Sequence, residues 1–498
     1  MSHPAMSDAP GPLPMRVVGP IGNMLRYFND PIVSAGRLFA RYGNVVSLVK
    51  SPVHIASPGP GWGTGKLRTA TGGGVVLVNG AEHNRTVLTQ HDRFHMIALP
   101  GVLYPVGDVP ERKKPITRMM TGLFHVNGDE HRRHRRLLMP AFAKTRIDAY
   151  RDDMVRITED ALARFEPGET RDIHSDLTEL TLRIATKTLF GEDEGERGVK
   201  IARMMQSWLM TMFSPWMVLP RLDLPGLPYR RFLDLTHAID RATVEIVRAK
   251  RSRTAPDSPD MLSTLLAAKD EDGSELDEDE VIGHTGVIFA AGHETSTNAL
   301  AWTLFLLAQH PKFLRDLEDE LDAVLAGRAP TIEELGKLPV LDATIKESMR
   351  VLPPVPIHPR IVAEDTELAG YRLPVGSEVF LSIFHMHHDP AVFSNPEVFD
   401  PRRWETIKPS VFEYNPFSAG PRMCIGASFA LMEIKLVLAA LLQKFRFELP
   451  RGTDVNPRVA ITMAPQGGLK MCVRRRSDPL TPPVSVRGRV RDLVHLPD

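Results

Sequence analysis

Apolar residues recur at three- and four-residue spacing through most of the chain from Asp129 to about Val455, the pattern of helices packed against one another. Short polar breaks divide this stretch: P-G-E at 167–169, S-P-D at 258–260, D-E-D-G at 270–273 and G-R-A-P at 327–330. Two segments within it, Val281 to Leu307 and Ala427 to Lys444, predict long apolar helices. Elsewhere the pattern shortens. Asn44 to Leu77 mixes β-branched runs with Gly and Pro, which predicts short strands and turns, with an irregular insertion from Pro52 to Gly74. Residues 361–385 turn strand-like, with E-L-A-G-Y-R-L-P-V-G as a hairpin, and Val459 to Val473 reads as a second hairpin around P-Q-G-G. Residues 1–20 read as a flexible lead-in. Residues 477–498 read as a basic, poorly ordered tail in which R-V-R-D-L-V-H-L could make one short helix. The expectation is a mainly α protein with a small β region (α+β), one large domain over 21–476 and no fixed-period repeat.

Composition narrows the class. The 498 residues are 43% hydrophobic and 24% charged, as in ordinary globular proteins. Sixty-one basic residues balance 61 acidic ones, so no global charge argues for a nucleic-acid or anionic-membrane partner. No run of eighteen apolar residues occurs, and the polar, Pro-rich N-terminus lacks the apolar core of a signal peptide or anchor. Two cysteines, Cys424 and Cys472, fit a reducing compartment, and the expected location is the cytoplasm.

Four short stretches carry candidate chemistry. In F-S-A-G-P-R-M-C-I-G, Phe417 to Gly426, a lone cysteine sits between two glycines beside an arginine, just before a predicted helix. Glycines let the backbone turn tightly and approach a flat cofactor. Helix N-terminal amides favour a thiolate, so Cys424 suits an iron ligand, and Arg422 suits an anionic group on the cofactor. Alone, such a cysteine would more often be a small buried hydrophobe. In A-A-G-H-E-T-S, Ala290 to Ser296, a helical threonine can bond back to a carbonyl one turn earlier, and an acid adjoins it. In E-S-M-R, Glu347 and Arg350 share a helix face, which in isolation makes a weak surface pair. In G-D-E-H-R-R-H-R-R-L-L-M-P-A-F, Gly128 to Phe142, the basic run could be a nucleic-acid patch. The balanced charge and the apolar continuation weaken that reading. A helix would instead aim His131 and Arg135, four apart, at one anionic target.

These motifs, in their order along the chain, resemble those of the cytochromes P-450 of soluble bacterial type, over roughly residues 20 to 476. The resemblance implies a single haem-thiolate domain holding haem b, with Cys424 as the iron ligand and Phe417 and Gly426 in its loop. It implies propionate contacts from His131, Arg135, Arg360 and Arg422. It implies a buried Glu347–Arg350–Arg403 brace; Trp404 stands where the family more often has Phe, a change expected to matter little. On the distal side Gly292 would leave room for dioxygen, Thr295 would hydrogen-bond the oxygen and Glu294 would relay protons. The acid–threonine pair favours dioxygen activation over a peroxygenase or isomerase; a non-catalytic haem-binding protein is the further alternative. By position, Ile288, Ala291, Val355, Ile357 and Met463 would line the substrate pocket. The loop from Phe94 to Phe124 and the Met-rich segment Met204 to Met217 would contribute, the latter with core packing as its alternative. The substrate would be a lipophilic small molecule: a fatty acid, terpenoid, steroid or polyketide. Electrons would come from NAD(P)H through a separate ferredoxin or flavodoxin and its reductase, to a monomer. Arg132, Arg133 and Arg136 would either meet an acidic electron-transfer partner or form a solvated basic face.

Overall fold

The computed structural model describes residues 7–16, 19–50, 74–96, 110–191, 223–253 and 260–497, with parts of 200–211. The expected insertion over 52–74, the break at 258–260, most of the Met204–Met217 segment and residues 97–109 of the loop after Phe94 lie largely or wholly outside the described residues.

The fold is built around one helix, Glu278–Gln309. Its start is written in D-E-D-E: Asp277 Oδ1 accepts from the Glu280 N–H at 2.8 Å, and Glu280 Oε2 accepts from the Asp277 N–H at 2.9 Å. Its second half, Asn298 to Leu307, is buried throughout, as a helix apolar on every side must be. Helices Ile173–Phe190, Pro228–Arg253, Pro339–Val351 and Ala427–Lys444 pack against it, and their apolar faces merge into one large core.

A five-stranded sheet lies beside this bundle, in the order Val45–Val49, Val75–Val78, Glu378–Ser382, Ile357–Val362, Phe94–Met96. One pair, Val75–Val78 with Glu378–Ser382, is parallel and the others are antiparallel. Met96 stands opposite Arg360, which brings two distant stretches of chain to one edge. The expected hairpin at Thr366–Leu368 and Tyr371–Leu373 forms, its turn carried by Ala369 and Gly370 at φ 55° and 78°.

Three expectations are corrected. The second hairpin does not close around P-Q-G-G. Pro457–Val459 pairs with Met463–Pro465 instead, so the turn is 460–462. Gly467 and Gly468, both in the left-handed region at φ 80° and 89°, redirect the chain. Lys470–Arg475 then joins a different sheet, between Thr170–Asp172 and Phe445–Glu448. The lead-in is not loose over its described residues Ser7 to Arg16. Ser7 and Ala9 are buried, and the Ser47 N–H donates to Pro10 O at 2.8 Å, covering an edge strand. Gly11 permits that approach, since a Cβ there would lie 1.9 Å from Ser47 O. The C-terminal tail is ordered as well. Val486, Val490, Leu493 and Val494 recur at helical spacing, are buried in the main core and surround a short 3-10 turn, Arg489–Asp492.

Candidate active site

The cysteine loop is shaped by backbone constraint. Ser418 and Gly420 both take positive φ, 61° and 71°, and a Cβ on Gly420 would lie 2.4 Å from Leu88 O. Glycine is therefore the residue that fits there. The Cys424 N–H donates to Phe417 O at 2.9 Å, closing the loop, and Gly426 caps the helix Ala427–Lys444. Phe417 packs against the main core. Cys424 is accessible, yet its sulfur is closely surrounded by protein. Desolvation pushes its thiol above the ordinary value, while a hydrogen bond from the Gly426 backbone and the charge of Arg135 pull toward the thiolate.

Five cationic or basic side chains gather on one side of this loop. His131, in the helix Gly128–Leu138, is buried, and its Nδ1 has no partner among the described residues. Desolvation, then Arg422 and Arg135, press its pKa down to about 3. Arg360 is buried, and burial lowers it to about 10. It donates to Pro359 O at 2.8 Å and meets Met96 Sδ at 3.0 Å, without a carboxylate among the described residues. Arg422 is lowered to about 9 by desolvation, Arg360 and Arg135. Its guanidinium reaches Leu123 O at 3.0 Å, Val126 O at 2.6 Å and Asn127 Oδ1 at 2.5 Å. Arg135 is lowered by desolvation. The fifth member, His95, was not expected from the sequence. It is buried beside Arg360's strand, has an unpartnered Nδ1 and is lowered by desolvation and then by Arg422. Like charges forced together under desolvation need an anion. The set His95, His131, Arg135, Arg360 and Arg422 therefore could hold the two propionates of a haem, with Cys424 available as a ligand to its iron.

The central helix carries the second group of expected site residues. Thr295 Oγ1 donates to Ala291 O at 2.9 Å, the expected back-bond. Gly292 faces open space: a Cβ there would meet nothing within 4 Å. Glu294 is half-buried and accepts from Thr462 Oγ1 at 2.7 Å. Ile288, Ala291 and Val355 are half-buried. Ile357 packs against the sheet, and Met463 lies wholly in the core, its N–H on Pro354 O and its carbonyl accepting from Trp302 Nε1, both at 2.9 Å.

The brace assembles on Glu347, which is fully buried. Arg350 forks onto it through Nη2 at 2.8 Å and Nε at 2.9 Å, and Arg403 Nε reaches it at 2.8 Å. Trp404 is no neutral replacement: its Nε1–H donates to Glu347 Oε2 at 3.0 Å, a bond phenylalanine could not make. A partly buried indole N–H needs an acceptor, and that rule could have flagged it in the sequence.

The three outer arginines are answered within the chain. Arg132 pairs with Asp129, Arg133 with Glu280 at 3.0 Å and Arg136 with Asp270 at 2.9 Å. Arg132 and Arg136 stay about half exposed in these pairs.

A mainly helical fold with a cysteine loop, a buried cationic cluster and an acid–threonine helix defines a haem-thiolate protein. The chain belongs to the cytochrome P-450 family, whose model matches residues 67–473. It is 34% identical over 337 residues to cyclooctat-9-en-7-ol 5-monooxygenase of Streptomyces melanosporofaciens, spanning 66% of this chain and 73% of that one. It is 33% identical over 343 residues to pentalenene oxygenase of Streptomyces avermitilis, spanning 67% of this chain and 75% of that one. The fold matches a retinoic acid-bound cyanobacterial cytochrome P-450 with a TM-score of 0.78 at 24% identity, covering 95% of this chain and 100% of that one. The protein is accordingly an oxidoreductase of the monooxygenase type. Among the described residues no helix is long and apolar enough to cross a membrane.

Proposed function

We propose that this protein activates dioxygen to hydroxylate or epoxidise a lipophilic small molecule of the terpenoid class. Electrons come from NAD(P)H through a separate reductase and a ferredoxin or flavodoxin. The observation that carries this reading is the Glu294–Thr295 pair beside the open space at Gly292. Bound haem supplies the iron at which dioxygen is activated and an oxygen atom is transferred. Cys424 would hold the iron, and its thiolate would donate electron density. His95, His131, Arg135, Arg360 and Arg422 orient the group by its carboxylates. Thr295 offers a hydroxyl at the oxygen site, and Glu294 carries protons to it from the hairpin side. Half-buried apolar side chains, Ile288, Ala291 and Val355, exclude water and receive the substrate. The terpenoid class is favoured by two relatives, one named for cyclooctat-9-en-7-ol and one for pentalenene. A thiolate enzyme with two free cysteines suits the reducing cytoplasm.

The test is a panel of terpenes screened by the haem spin-state shift. Hits are then incubated with NADPH, dioxygen, a ferredoxin and its reductase. Oxygenated product requiring both NADPH and dioxygen is expected. Product formed with hydrogen peroxide alone, and none with NADPH and dioxygen, would refute the proposal.

A further inference from the structure

We infer that Thr462 is a positioning residue for Glu294, fixing the carboxylate that handles protons and tying it to the C-terminal hairpin. This rests on reading Glu294 and Thr295 as the proton-handling pair. Thr462 Oγ1 donates to Glu294 Oε1 at 2.7 Å, and among the described residues no other group donates to that carboxylate. A glutamate side chain left unheld samples several rotamers. One short charge-assisted bond selects among them, and a proton relay works only within about 2.6–3.2 Å.

The donor itself is held in place. Thr462 is 7% exposed and ends the turn between Pro457–Val459 and Met463–Pro465. The next residue is fastened twice: the Met463 N–H donates to Pro354 O, and Met463 O accepts from Trp302 Nε1, each at 2.9 Å. Trp302 is fully buried on the same helix as Glu294. Eight residues separate them, about 12 Å along the axis. The hairpin therefore bridges two points of the central helix, and the rigid one sets the register of the other. Thr295 does not fill this role, because its hydroxyl donates to Ala291 O and not to the Glu294 carboxylate.

The experiment uses the haem-loaded full chain with NADPH, a ferredoxin, its reductase and limonene as probe. Hydrogen peroxide released per NADPH consumed is measured for Thr462→Val, Thr462→Ser, Glu294→Gln and the Thr462→Val/Glu294→Gln double variant. Thr462→Val is expected to raise the peroxide fraction about tenfold, the weight of one charge-assisted bond. Thr462→Ser should restore it, and Thr462→Val should add nothing once Glu294 is Gln, because the effect passes through that carboxylate. Independently of turnover, the carboxylate infrared band assigned by difference against Glu294→Gln should shift in Thr462→Val and return in Thr462→Ser. A wild-type peroxide fraction and band in Thr462→Val beside an impaired Glu294→Gln overturns the role of Thr462. Equal added loss in the Glu294→Gln background overturns it too. A Glu294→Gln variant as well coupled as wild type overturns the pair reading, and this inference with it.

Discussion

A carboxyl group taken out of water without a full partner keeps its proton. Glu433, inside the apolar helix Ala427–Lys444, is such a group. It is fully buried, and its oxygens make no hydrogen bond of normal geometry among the described residues, although Ser296 lies near enough to oppose the shift. Desolvation lifts its pKa from 4.5 to about 8. The folded chain thus binds this proton more tightly than the unfolded chain. The contribution to stability is complete below pH 4.5 and is lost as pH rises toward 8. In denaturant titrations between those limits the wild type should lose up to ~1.4 kcal/mol per pH unit from this group. Glu433→Gln should flatten that slope, and an unchanged slope would show that Glu433 is charged in the fold. A lone acid in an apolar run was visible in the sequence as an oddity, since Glu is almost never buried unpaired. His95 gave no such signal, because its neighbours Arg360 and Arg422 lie hundreds of residues away.

Elements are joined here by single side chains that serve two of them at once. Glu280 closes the capping box of the central helix with Oε2. With Oε1 it accepts from Arg133 at 3.0 Å and pairs with His134 at 2.9 Å, both on the basic helix Gly128–Leu138. The box was legible in D-E-D-E; the second duty was not, since it depends on how two helices cross. Glu347 acts likewise, holding helix Pro339–Val351 to the segment around Arg403 and Trp404. Trp404→Phe removes one of its donors. Chemical unfolding should show a loss of roughly 1.5–3 kcal/mol. A midpoint equal to wild type would show that the indole bond adds nothing beyond the two arginines. The basic run of the same helix region shows the limit of reading charge from sequence. Asp270 and Glu280, which neutralise Arg136 and Arg133, come from beyond residue 260.

The whole molecule closes on itself through its ends. The N-terminal segment covers the strand Val45–Val49, while Arg489 of the tail reaches Asp30 at 3.1 Å. The Val455 N–H donates to Arg487 O at 2.9 Å, and the His495 N–H donates to Glu397 O at 2.8 Å. Removing residues 484–498 would take away the buried side chains of Val486, Val490, Leu493, Val494 and Leu496 and uncover the core they pack against. Each is worth ~1.5–3 kcal/mol when buried, less the entropy of ordering the segment. The truncated chain should unfold several degrees lower and bind an apolar dye; a melting curve matching the full chain would count against a structural role for the tail. By itself the sequence determined the helical class, the positions of the long apolar helices, the cysteine loop and the acid–threonine step. Each of these is written in residues adjacent or one turn apart, where spacing alone decides which side chains share a face. Tertiary structure alone decided the place of His95 in the cationic cluster, the choice of Glu347 as the indole's acceptor, the order in the tail, the true hairpin turn and the hydroxyl that holds Glu294. These join residues tens to hundreds of positions apart, and their partners are chosen by packing of the core rather than by any local pattern.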